Sequence, residues 1–540
     1  ESDSVGITLT NAVLNSNIAG ATVETSSPGN GGGLHVTGAG DVTINGGSVT
    51  DNSAALEGGG LWNGTGTMTI DGTTIDGNTA SGDAADDGGG GIFNNGGTVI
   101  IAGSQTVISN NVADGTSGSG GGLLTIDGTV SITNTRFEFN SAVRAGGGIE
   151  VVAGDVTLTD SNLINNDVNS IVLPTASPGN GGGLHVSGAA NVTLDGGSVF
   201  GNEAASEGGG LWNSATGTMT IRNGTTITGN FAASAGGASD AQGGGGIFNN
   251  GGTLTITDST ISGNEALDPD AGSSQDDGGG GLFNDGGTVT ITDTIISGNL
   301  ATDGLGNGGG ILTLGGSVTI SGGTISGNSA ARAGGGIENN TGSVTLDGVT
   351  LGGTTATDGN IAGVNGGGLH ISGAGDVTID GGSISNNTAA AEGGGLWNSA
   401  TGELILDGTN SPIVVNLNTA AGNADPTGAP TTLQGGGGIF NDGGTLTLTG
   451  AENGITISDN TATGANFGSG GGLLTIDGTV SITNTRFEFN SAVRAGGGIE
   501  VVAGDVALTD SNLINNDVNS IVLPTASPGN GGGLHVSGAA

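Results

Sequence analysis

Seventeen times the chain reads Gly-Gly-Gly followed by Leu or Ile, from Gly33-Leu34 through Gly60-Leu61 and Gly91-Ile92 to Gly533-Leu534. The spacing runs from 26 to 43 residues. One Asn recurs with each run, beginning Asn17, Asn52, Asn78, Asn111 and Asn140 and ending Asn490 and Asn516. Between the markers lie short alternating stretches, as in Leu34-His35-Val36, Val42-Thr43-Ile44 and Ser48-Val49-Thr50. Alternation with a period of two, punctuated by Gly, Asn and Asp turns, predicts three strands per unit. No single unit can bury its apolar face alone, so the units must stack. The expected fold is all-β: a right-handed parallel β-helix of about 17 three-strand coils, the hand following from that of parallel crossovers. It is expected to run as one continuous domain over residues 1–540.

The recurring Leu or Ile marks an inward column, and the aliphatic residues flanking Thr43, Thr69, Thr193, Thr255 and Thr290 are expected to point inward, with the threonines outside. The 17 asparagines are expected to form a stacked amide ladder at a turn. Length variation falls mostly between the third strand and the next Gly run, at one corner of the coil.

Composition then excludes several alternatives. Gly and Pro make up about 24% of the 540 residues, 122 and 9 of them. The glycines come in runs of three or four and not at every third position, which rules out collagen. Six basic residues, all arginine, face 49 acidic ones, for a net charge of −43. Such a surface repels nucleic acid and anionic membrane, so neither is an expected partner. No apolar stretch long enough for a helical membrane span appears in this segment. With no cysteine, disulfide and thiol chemistry are absent, and an extracellular or cell-surface location is compatible with the sequence.

A longer period lies above the coil. The residue after the Leu or Ile runs His35, Trp62, Phe93, Leu124, Glu150, then His185, Trp212, Phe248, Phe283, Leu312, Glu338, then His370, Trp397, Phe440, Leu474, Glu500 and His535. All four histidines and all three tryptophans occupy this column. In-register stacking sets Glu150, Glu338 and Glu500 beside His185, His370 and His535 as carboxylate–imidazole pairs. The His, Trp and Phe positions form an outward column that is expected either to lie under the adjacent long corner loops or to serve as a binding stripe, for a second rod, a cell-wall or surface glycan, or another protein. Residues 118–190 recur at 468–540 with one difference, Thr157 against Ala507, so multi-coil blocks have been duplicated. The segment starts and stops mid-coil without a polar cap, and the expectation is a piece of a longer array or a unit joining end to end with copies of itself.

The coils resemble the right-handed β-helix repeats of microbial surface proteins, including chlamydial polymorphic outer membrane proteins and autotransporter-like adhesins. The residues that carry the resemblance are Gly146-Gly147-Gly148-Ile149 and Phe137-Glu138-Phe139-Asn140, the latter repeated at Phe487 to Asn490. It implies a secreted or surface-displayed adhesin or structural protein, and the stacked repeat adds the expectation of an extracellular fibre, filament or surface layer.

The fold also resembles pectate lyases and polygalacturonases, which brings in carbohydrate binding or cleavage as the alternative. Lyase chemistry of that kind wants Ca²⁺-binding carboxylates and an Arg or Lys base, and hydrolase chemistry wants paired carboxylates. There is no Lys, and the arginines mostly recur at matched positions, Arg136 with Arg486 and Arg144 with Arg332 and Arg494, whereas a catalytic constellation should occur once. The expectation is therefore no enzyme. Asp86 with Asp87, and Asp276 with Asp277, offer oxygen ligands for Ca²⁺, against the simpler reading of a solvated acidic surface. The outward threonines raise an ice-binding array as a further alternative.

Overall fold

The computed structural model describes residues 6–20, 29–168, 179–233, 242–267, 277–302, 304–422, 434–452, 454–464, 468–518 and 529–538. The chain comprises two compact units, Glu1–Pro269 and Asp270–Ala540. Each is a right-handed parallel β-helix, and together they hold the 17 coils expected from the Gly runs. No α-helix occurs among the described residues.

One coil shows the plan. Leu61–Asn63 and Thr67–Asp71 form two arms of sheet A, Thr74–Asp76 belongs to sheet B, and Thr79–Ala80 to sheet C. In several coils the two arms merge, as in Ile92–Ala102 and Leu123–Thr133. Every pairing among the described strands is parallel, with register shifts only at the bend inside merged arms, as at Asn95 against Asp127, so that Leu34, Leu61, Ile92, Leu123 and Ile149 form one column. In the second unit Leu282, Ile311, Ile337, Leu369 and Leu396 do the same. Leu61, Met68, Ile70, Ile75 and Ala80 fill the interior of their coil and are fully buried. Thr69 lies between buried Met68 and Ile70, as the alternation requires.

The Gly run is dictated by three separate constraints. Gly58, Gly120 and Gly146 lie at φ of 64°, 66° and 62°, where only glycine is unstrained. At the next position a Cβ on Gly59 would lie 2.4 Å from the Thr79 carbonyl oxygen, and at the third a Cβ on Gly60 would lie 2.6 Å from that of Gly91. The chain therefore turns from sheet C into sheet A closer to its neighbours than any side chain permits.

The asparagine ladder is present in every coil of both units. Asn52 donates through Nδ2 to Asn78 Oδ1 at 2.9 Å and to the Leu14 carbonyl at 2.9 Å. Its own Oδ1 accepts from the backbone N and Nδ2 of Asn17. The chain of amides runs from Asn17 to Asn264 in the first unit and from Asn299 to Asn516 in the second. Each buried amide thus satisfies the next coil's amide and the backbone of the coil before, which fixes the stacking register.

Candidate functional site

The outward column on the first arm of sheet A is where chemistry-bearing residues gather. Alternation turns Leu61 into the core and Trp62 away from it, yet Trp62 is only 7% exposed. Of the two expectations for this column, cover holds and the exposed docking stripe does not, and the cover described comes from residues at the bend of sheet A. Phe93, Phe248, Phe283 and Phe440 are buried, as are Trp212, Trp397, His185 and His370, while His35 and His535 are partly buried. Two contacts account for this. Neighbouring rings stack along the column, Trp62 on Phe93 with centroids 6.0 Å apart and planes 6° from parallel. Ile126 and Val152, from the bend between the two arms, pack against the Trp62, Phe93 and Leu124 cluster. Ile476 and Val502 do the same for Trp397, Phe440 and Leu474.

The expected carboxylate–imidazole pairs form. Nδ1 of His185 lies 2.8 Å from Glu150 Oε2, that of His370 2.8 Å from Glu338, and that of His535 2.7 Å from Glu500. Glu150 is fully buried, and the Arg144 guanidinium stands 3.9 Å from its Oε1. A buried carboxylate needs such partners, because desolvating an unpaired charge is costly. Arg494 repeats the contact to Glu500 at 3.9 Å, and there the Ser537 hydroxyl also donates to Glu500 Oε1 at 2.8 Å. Two of the three imidazoles lie against the next ring, His185 on Trp212 at 4.3 Å and His370 on Trp397 at 4.3 Å.

Three residues of this network were not singled out in the sequence. Glu57, Glu207 and Glu392 each stand five residues before a tryptophan and accept its indole N–H, at 2.8, 2.8 and 3.1 Å. Asn30 and Asn180, each five before a histidine, donate to Glu57 and Glu207 at 2.9 and 3.0 Å. The signal was available as Glu-Gly-Gly-Gly-Leu-Trp, which occurs three times. Burial pushes the Glu57 carboxyl above the usual carboxylate range, the Trp62 bond works against the rise, and the charges of Asp87 and Asp86 add to it.

In the first unit these groups border a half-open cleft of about 320 Å³, lined by Arg144, Asn180, His185, Ser187, Glu207, Trp212 and Asn250 among others. Its walls offer guanidinium, amide and hydroxyl donors together with carboxylate and amide acceptors.

A second, interrupted amide column lies beside the aromatic one. Asn63 donates to Asn94 at 2.8 Å and Asn94 to the Thr125 hydroxyl at 3.1 Å. Oδ1 of Asn63, Asn213 and Asn398 is buried without a partner. The residues stacked one coil before are Val36, Val186 and Ile371, which have no donor to give.

Of the expected cation ligands, Asp86 is exposed and Asp87 half-buried, with the Asp87 carboxylate accepting the Ala84 amide at 2.9 Å. Asp277 is buried, and Asp276 lies outside the described residues. Among the described residues no three His, Asp or Glu side chains are grouped as a metal site. No protein-family model matches the chain, and no curated protein matches it.

Proposed function

We propose that this chain is a non-catalytic structural or adhesive element of an extracellular fibre or surface layer, which associates with copies of itself. The observation that carries the reading is the amide ladder, continuous from Asn17 to Asn264 and again from Asn299 to Asn516. A column of buried, mutually saturated amides resists sliding of one coil on the next, and a stiff spacer needs that property. The acid–base groups recur as Glu150–His185, Glu338–His370 and Glu500–His535, which suits a periodic architectural element better than a single reaction centre. The net charge of −43 keeps such elements apart at low salt, and Ca²⁺ held by the acidic corners around Asp86 and Asp87 is the proposed route to lateral association.

Electron microscopy of the full chain tests this. Particles are predicted to gather into bundles or filaments when Ca²⁺ or salt is raised. Particles that remain single under every ionic condition would remove the assembly reading.

A further inference from the structure

We infer that the cleft between Arg144 and Trp212 binds one neutral sugar unit of a glycan. Its volume of about 320 Å³ lies at the small end of ligand-sized cavities. The chemistry of the lining disfavours other ligand classes. The carboxylates of Glu207 and, behind His185, Glu150 disfavour an anion, as does the chain's net charge of −43. The Arg144 guanidinium disfavours a cation. The polar walls disfavour a purely apolar guest. A neutral ring of hydroxyls, each both donor and acceptor, matches walls that alternate Arg144, Ser187 and Asn250 with Glu207 and Asn180.

The cleft is also a built feature. Arg144 is held by hydrogen bonds to the Ser119 hydroxyl at 3.1 Å and the Ala85 carbonyl at 3.3 Å. His185 is held on one side by Glu150 and on the other by the Trp212 ring, and Asn180 is tied to Glu207. The second unit carries the same set at Arg332, Asn365, His370, Ser372, Glu392 and Trp397. There the His370–Glu338 and Trp397–Glu392 bonds are again in place. Coil lengths differ between the two sets while six of the wall residues do not, so the duplication has largely kept the wall and let the spacing drift. Asp442 stands where the first unit has Asn250.

The inference goes beyond the assembly proposed above and does not depend on it. Isothermal titration of the full chain with tetrasaccharides of glucose, galactose, mannose and N-acetylglucosamine, beside tetragalacturonate as the anionic control, reads it directly. The expected result is binding of at least one neutral tetrasaccharide at two sites per chain, with tetragalacturonate at least about tenfold weaker. Ser187→Ala with Asn250→Ala should remove one site of the two at an unchanged unfolding midpoint. Adding Ser372→Ala with Asp442→Ala should remove the other. The inference is overturned by no heat from any neutral tetrasaccharide up to about 10 mM, by preference for tetragalacturonate, or by two sites surviving in the fourfold variant. Micrographs of that variant keep the readings apart, since loss of sugar with retained assembly leaves the structural role standing.

Discussion

Residues 118–190 and 468–540 are one sequence in two settings, apart from Thr157 against Ala507. In the first setting Asp155–Thr159 is paired with Asn191–Asp195 of the next coil, and Leu158 is 2% exposed. In the second no described coil lies beyond the strand Leu534–Val536, and Leu508 is 36% exposed. Leu184 is fully buried where its twin Leu534 is 45% exposed. The residues are the same, so the difference belongs to the neighbour. A coil does not cover its own core alone, and the coil stacked on it completes the cover.

Substitutions made in both copies sharpen that comparison. The largest effect is expected for Asn166→Leu. Asn166 donates to Asn202 and the Phe137 carbonyl and accepts from Asn140, so the change strands buried groups on both neighbours. A loss of about 3–5 kcal/mol in denaturant unfolding is predicted, and a clearly smaller one for Asn516→Leu. Next comes Leu158→Ala, at about 2–5 kcal/mol against about 1 kcal/mol or less for Leu508→Ala. Equal losses in the two copies would break the comparison.

Smaller still is a pH effect. Burial pushes the Asp167 carboxyl up to about 6 from its ordinary 3.8, and the charge of Glu203, paired with it in the next coil, adds to the rise. The folded state holds this proton more tightly than the unfolded one. The resulting stability is therefore fully present below pH 3.8 and lost as pH rises toward 6. Asp167→Asn is expected to stabilise the chain at pH 7 by about 1–2 kcal/mol after solvent screening and to flatten this part of the pH profile. A midpoint that follows pH identically in the variant would contradict it. The smallest effect is local. Phe139 and Phe489 sit at φ of 56° with side chains more than half exposed. Phe139→Gly and Phe489→Gly should each gain up to about 1 kcal/mol, equally in both copies, because the strain does not depend on a neighbour. Unequal gains would show that these bends feel the stack.

Much of this was legible in the sequence. The Leu and Ile column, the outward threonines and the asparagine ladder follow from period-two alternation and from one Asn per Gly run. The Glu150–His185 contact followed from counting coils. What alternation conveys is only which side of a strand a residue leaves. It placed Trp62 outside the core correctly, but the cover over that side comes from Ile126 and Val152, two residues after Leu124 and Glu150 on later coils, and from ring stacking, neither of which alternation along one strand conveys. The indole acceptors Glu57, Glu207 and Glu392 were passed over because they lie before the Gly run, and their approach to the tryptophan depends on the sharp turn that the run makes. The short amide column beginning at Asn63 was missed because Val36 and Val151 interrupt its pattern.

Hydrogen exchange read by mass spectrometry tests the central claim most directly, because peptides spanning Thr157 and Ala507 can be told apart by that single difference. In a polypeptide of residues 1–540, if stability is supplied by the stacked neighbour, amides of residues 154–166 will exchange much more slowly than those of residues 504–516. Equal protection in the two copies would mean that each coil is stable by itself, and would contradict the account.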